Sequence, residues 1–356
     1  MNNIAKLQKI VAESEFGAFY ITSDVNRLYA TGFPGSAGAA LISGDGAWFM
    51  TDSRYFEAAR DALPDIPVLL TDRENTYMKL VNDLCAEHNL RKLAIEDSYI
   101  TYAEYRERRG KLTAELVDGT PDIMRLRASK SEAELDAMIA AQRLAEEAFN
   151  LLVGAIDPGI TEKRLAAQLV SNMLYLGADG TSFDTIVVSG TRSSLPHGVP
   201  TDAQLGRGFV TIDFGVKLNG YVSDTTRTIM LGEPTDEERR VYDTVLEAQL
   251  AGIAAAKAGV TGAAVDAAAR DVIKNAGYGE FFGHSFGHSL GLEVHESPNA
   301  SPTNDKPLPV GAVISAEPGI YLPGRFGVRI EDALWLTESG SVNITRLPKE
   351  LLTIKW

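Results

Sequence analysis

The chain has a single cysteine, Cys85, in 356 residues. No disulfide can therefore close within it, and a reducing compartment such as the cytoplasm is the expected setting. No apolar run reaches the roughly 18 residues that a membrane-crossing helix needs. The first ten residues carry Lys6 and Lys9 and lack an apolar stretch, so no signal peptide is expected there. Positive charge is also scarce. Lys and Arg number 34 against 48 Asp and Glu, a formal net charge of -14. That balance excludes nucleic acid and anionic membrane as main partners.

What is present is an ordinary globular composition, 45% hydrophobic and 23% charged. The length exceeds what one core usually holds, so two domains are expected, 1–124 and 125–356. In the first, Ile4, Leu7, Ile10 and Val11 form a helical stripe. Residues 17–22, 39–43, 47–51 and 93–96 read as short strands, the second and third joined across Gly44-Asp45-Gly46. This is the pattern of a small α/β domain, and it shows no catalytic cluster. His88 lies in a helical pattern there and reads as structural. The second domain opens with a long helical pattern, Lys130 to Val153, started by the capping box Ser131-Glu-Ala-Glu134.

A faint repeat runs through the second domain. Gly159-Ile-Thr161 recurs one hundred residues later as Gly259-Val-Thr261, and Gly177 recurs as Gly277. Each copy reads as helix, turn, helix, glycine. Two related halves with a site between them are expected.

Two segments of this domain carry aspartates. Residues 209–216 and 221–229 look like antiparallel strands flanking Asn219-Gly220. A turn at Leu218-Asn219 sets Asp213 opposite Asp224, whereas a turn at Asn219-Gly220 makes them diagonal neighbours. Either register leaves both on one face, because the side-chain period is two. Two carboxylates that close are unfavourable without a cation between them, and metals roughly 3.5–4 Å apart supply one. Asp213 alone reads as a single buried acid on an ordinary hairpin; the pair, joined by the segments below, reads as a metal site.

Those further segments lie downstream. Val313 to Glu317 reads as a buried strand ending in an acid, which needs a partner. Gly327 to Glu331 alternates, so Arg329 and Glu331 share one face. Between the two groups of acids lie three of the five histidines, His284, His288 and His295. His284 and His288 are four apart, as in His-Glu-x-x-His zinc peptidases. Residue 285 is Ser, however, and glycines at 283, 287 and 291 oppose a helix. His197 sits in the turn-like Leu195-Pro-His-Gly-Val-Pro200. One imidazole with four carboxylates can hold two divalent metals, which points to metal-assisted hydrolysis.

These segments together resemble the proline-specific metallopeptidases, aminopeptidase P and prolidase, of the pita-bread superfamily. The resemblance covers essentially the whole chain and includes Thr51-Asp-Ser-Arg-Tyr55 in the first domain. It implies a creatinase-like N-terminal α/β domain followed by a pita-bread catalytic domain of two related halves. It further implies five ligands: Asp213 on one metal, His288 and Glu317 on the other, and Asp224 and Glu331 bridging both. A hydroxide between the metals would attack the peptide carbonyl, with Glu317 moving protons to and from it. By the same resemblance, His284 and His295 stabilise the oxyanion or shuttle protons. His197 shapes the substrate pocket, and Arg329 orients a ligand. An oxygen-rich ligand set favours Mn²⁺, with Co²⁺, Zn²⁺ or Fe²⁺ as alternatives.

The implied substrates are proline-containing peptides, and the implied assembly is a homodimer or higher homo-oligomer. A dipeptidase must grip a free carboxylate, usually with arginine. The segment 297–309 offers only Lys306, so the expectation leans to an Xaa-Pro aminopeptidase, with Xaa-Pro dipeptidase as the alternative. A metal-free creatinase or a non-enzymatic pita-bread binding module is disfavoured by the complete ligand set.

Overall fold

The computed structural model of this chain describes residues 2–157 and 159–356. It contains two compact units, Met1–Arg127 and Ala128–Trp356. None of its described helices is long and apolar enough to cross a membrane.

The first unit is built on a six-stranded mixed sheet. Its order is Val68–Leu70, Ala47–Thr51, Ala39–Ser43, Ala18–Ile21, Lys92–Ile95, Glu115–Asp118. The central strands are buried on both faces, which explains their continuous apolar runs. The Ile4–Ala12 helix buries Leu7, Ile10 and Val11, the expected stripe. His88 packs its ring against Trp48 with centroids 4.6 Å apart, a structural role.

The second unit repeats one plan twice. In each half two antiparallel helices cover a sheet. The first half uses helices Glu132–Val153 and Glu162–Tyr175 against strands Ile186–Ser189, Gly208–Phe214 and Thr225–Leu231. The second uses helices Asp236–Ala255 and Gly262–Asn275 against strands that include Val313–Ala316 and Asp332–Leu336. The repeated sequence falls on equivalent places. Thr161 and Thr261 each accept a hydrogen bond from the third residue of the helix that follows. Thr161 bridges to Gln204, and Thr261 bridges to Pro307. Gly177 and Gly277 end their helices at φ of 104° and 87°, where a side chain would be strained.

Each half has its own apolar core. Leu165, Leu169, Ile212 and Ile229 lie in one, and Val245, Val265, Ile314 and Leu334 in the other. Burying each such side chain contributes about 1.5–3 kcal/mol, so both sheets are held rigidly against their helices. The acids at the strand ends inherit that rigidity. The Glu132–Val153 helix begins at the expected capping box, with Ser131 and Glu134 bonding to each other's backbone N–H.

Candidate metal centre

The aspartate hairpin adopts the register with its turn at Asn219-Gly220. Leu218 pairs with Tyr221, and Asp213 pairs with Thr226, so Asp224 is the diagonal neighbour of Asp213. The turn residues have φ of 51° and 86°, a primed turn that matches strand twist. The second strand is interrupted just before Asp224, between Tyr221–Val222 and Thr225–Leu231.

The other acids arrive from the second half. Glu317 follows the Val313–Ala316 strand directly. Glu331 lies between Phe326–Arg329 and Asp332–Leu336. Val328 and Ile330 turn into the apolar core, while Arg329 and Glu331 face the acids. His288, in the short Gly287–Ser289 strand, completes the group. Its Nε2 lies 3.2 Å from Glu317 Oε1 and 3.6 Å from Asp224 Oδ2. Its Nδ1 lies 3.2 Å from the Ser289 carbonyl, which can only accept, so Nδ1 carries the hydrogen and Nε2 faces the carboxylates.

The arrangement suits cations. One ligand atom each from Asp224, His288 and Glu331 lie within 4.8 Å of one another. Asp213 Oδ1 and Glu331 Oε1 are buried without a hydrogen-bond partner among the described residues. Their sister oxygens are already taken. Asp213 Oδ2 accepts from Arg329 Nη2 at 2.6 Å, and Glu331 Oε2 accepts from the Thr226 hydroxyl at 2.7 Å. Hard oxygen donors left unpaired beside an imidazole form a donor set for divalent ions.

The electrostatics agree. Burial pushes the Asp224 carboxyl well above its usual range, and the charge of Asp213 adds to it. Glu331 is raised in the same way, by burial and then by Asp224. Burial also raises Asp213, although Arg329 opposes it. Burial alone would lower His288, but the hydrogen bond to Glu317 and the charges of Glu317 and Asp224 together outweigh it and lift the imidazole to about 9. Burial would raise Glu317, yet the bond from His288 together with the charges of His288, His284 and Arg329 brings it down to about 2. The acids thus repel one another, with Arg329 and His288 offsetting part of their charge, and divalent cations would relieve that repulsion.

All nine side chains expected from sequence line one cavity of about 620 Å³: His197, Asp213, Asp224, His284, His288, His295, Glu317, Arg329 and Glu331. A second compartment of about 480 Å³ shares His197 and His284 with it. The accessory histidines differ in what they can do. His284 Nδ1 lies 2.9 Å from the Ser285 carbonyl and its Nε2 lies 2.9 Å from the Tyr321 hydroxyl. Burial lowers its proton affinity, so the ring is neutral, donating from Nδ1 and accepting at Nε2. Neither nitrogen is then left to meet a substrate. His295 packs edge-on to His288 with centroids 4.4 Å apart, and its nitrogens bond to no described residue. Burial, followed by the charge of His288, lowers its proton affinity.

Sequence reading missed Tyr321, whose hydroxyl joins Arg329 Nη1 to His284 at 2.9 Å on each side. It also missed Thr226, held between Arg329 Nε and Glu331. Nothing in either residue's local pattern marks it. Asn299, in the arginine-free segment 297–309, lines the cavity as a neutral amide.

Two family models match the chain. Creatinase/Prolidase N-terminal domain matches residues 3–129, and Metallopeptidase family M24 matches residues 136–338. The Xaa-Pro dipeptidase of Pyrococcus furiosus is 36% identical over 353 residues, 98% of this chain and 99% of its own. Among solved structures, an Xaa-Pro dipeptidase from Bacillus anthracis superimposes with a TM-score of 0.94 at 39% identity, covering 99% of each chain. An X-Pro aminopeptidase from Thermotoga maritima gives 0.92 at 38% identity, covering 99% of this chain and 100% of that one.

Proposed function

This chain is a member of metallopeptidase family M24, and from that premise we propose that it hydrolyses the Xaa-Pro bond of dipeptides. As a member it is a metallo-exopeptidase. Its N-terminal unit is of the creatinase/prolidase type, and its catalytic unit has the pita-bread fold. The family binds divalent metals, usually two.

The observation that carries the site assignment is the meeting of four carboxylates and one imidazole in a single cavity, with two carboxylate oxygens unpaired. Asp213, Asp224, His288, Glu317 and Glu331 would hold two divalent ions, and Mn²⁺ suits their oxygen-rich donors best. When bound, such ions polarise a scissile carbonyl and acidify water. Glu317, hydrogen-bonded by Ser315, would take and return a proton. Arg329 holds Asp213 in place, and Thr226 holds Glu331. His295 presents to the cavity ring nitrogens with no partner among the described residues, and these can hydrogen-bond the bound peptide. His284, with both nitrogens engaged, serves instead as a wall fixed by Tyr321. His197 is exposed on the cavity and lies within reach of the peptide's far end.

Sequence reading leaned toward an aminopeptidase. The dipeptidase reading has the better support, from the full-length similarity to two proteins named Xaa-Pro dipeptidase. Its substrate carboxylate would rest on His197 and the Asn299 amide. The neutral Asn299 is also the specific observation that favours an aminopeptidase, since no arginine of segment 297–309 is available for that carboxylate.

Metal-stripped protein reloaded with Mn²⁺ and offered Ala-Pro and Ala-Pro-Ala separates the two. Greater efficiency on Ala-Pro is expected, and cleavage of the tripeptide alone would establish the aminopeptidase. Cleavage of neither, with two metals bound, would refute the substrate class.

A further inference from the structure

We infer that the buried Lys130–Glu296 pair is a positioning device that fixes His295 at the cavity. This rests on the proposed reading in which His295 acts on the bound peptide. Lys130 Nζ lies 3.2 Å from Glu296 Oε2, and both side chains are 1% exposed. Burying two charges is costly, and an apolar pair of similar volume is often as stable, so such a pair is better explained by the geometry it imposes.

That geometry is a closed turn. Glu296 Oε1 accepts from the backbone N–H groups of Leu292 at 2.9 Å and Glu293 at 3.2 Å. The carboxylate therefore gathers the segment 292–296 around itself. Gly291 crosses directly over it, where an added Cβ would stand 2.9 Å from either oxygen. The Gly291 carbonyl accepts from Val222 N–H at 2.9 Å, two residues before Asp224. Lys130 is itself anchored, its N–H donating to the Gly311 carbonyl at 2.8 Å. Glu134, in the first turn of the Glu132–Val153 helix that follows Lys130, accepts from the Tyr221 hydroxyl at 3.0 Å. The start of the Glu132–Val153 helix thus fastens both the loop bearing His295 and the strand leading to Asp224.

His295 needs this support. Its ring nitrogens bond to no described residue, and its ring packs against that of His288. The backbone of Val294–Glu296 sets where its ring goes, and the carboxylate one residue later sets that backbone.

The variant Lys130→Met/Glu296→Gln removes both charges of the pair together and keeps an amide oxygen for the Leu292 and Glu293 N–H groups. In histidine-labelled protein, with the His295 signal identified through His295→Ala, the His295 imidazole resonances should shift and broaden while those of His197 stay. Metal content should be unchanged, and kcat on the cleaved Xaa-Pro peptide should fall about tenfold. In the His295→Ala background the same pair of substitutions should cost nothing further. Unmoved His295 resonances, or a kcat loss that multiplies with that of His295→Ala, would overturn the inference. If the wild type cleaves no Xaa-Pro peptide, the functional reading fails by itself, and the imidazole spectra alone still decide what the pair does.

Discussion

The Tyr321 hydroxyl stands 2.9 Å from His284 Nε2 while accepting from Arg329 Nη1 at 2.9 Å. Arg329 reaches on to Asp213, so one chain of bonds runs from a candidate metal ligand to a wall of the substrate cavity. Tyr321→Phe cuts this chain and leaves a buried guanidinium N–H and a buried imidazole nitrogen short of partners. An unmade buried hydrogen bond costs about 1–3 kcal/mol. A loss of kcat/KM of roughly 5- to 150-fold is therefore expected, with both metals retained. Steady-state kinetics beside elemental analysis checks this; unchanged kcat/KM would mean that His284 needs no such anchor.

Asp224 lies between the halves of the cluster, and its carboxyl is raised by burial and by Asp213. Asp224→Asn removes one charge from the donor set, so metal content and activity should fall together. Titration with Mn²⁺ while following both quantities is the test. Near-normal turnover at low Mn²⁺ would remove the dinuclear assignment.

Metal removal should also lower thermal stability. Three of the four acids are held above their ordinary range by burial and mutual repulsion, and cations that bind only the folded state relieve this. Chelated protein is expected to melt lower than protein reloaded with Mn²⁺, by several degrees at about 100 Kd of metal. Recovery of activity with stoichiometric Zn²⁺ but not Mn²⁺ would reverse the choice of ion.

Asn299 lines the cavity, and in the dipeptidase proposed above a fixed positive charge there would meet the substrate's carboxylate. Asn299→Arg should lower KM for Ala-Pro more than for Ala-Pro-Ala-amide, which carries no free carboxylate, while kcat changes little. Equal effects on both peptides would show that the carboxylate lies elsewhere.

Glu162 is buried and accepts from Ser189, Thr201 and Arg192. Burial would raise its carboxyl, but the bonds from Thr201 and Ser189 outweigh this and leave it below the ordinary 4.5. A folded-state value lower than the unfolded one stabilises the protein above about pH 4.5 and loses that stabilisation as pH falls through the folded value. The stability gap between wild type and Glu162→Gln should therefore be widest above pH 4.5 and narrow on acidification. A gap that does not change with pH, measured by denaturant unfolding, would contradict this.

Much of this site is legible in sequence because its residues obey local rules. Asp213 and Asp224 share a face through the strand period. Arg329 and Glu331 share one for the same reason, and their apolar neighbours Val328 and Ile330 are the complement. The helix beginning at Ser131 is announced by its cap, and the repeat by Thr161 and Thr261. Sequence left the hairpin two registers, and the left-handed conformations of Asn219 and Gly220 chose one. Which segments meet is another matter. Tyr321 and His284 are 37 residues apart, and Lys130 and Glu296 are 166 apart. A tyrosine, a lysine or a glutamate carries no periodic mark of such a partner. The sequence by itself determined the kinds of ligand and the faces they occupy, since local spacing dictates both. Only the tertiary structure decided that both His284 nitrogens are engaged, that those of His295 bond to no described residue and that a buried ion pair lies behind it, because those depend on distant strands closing on one another.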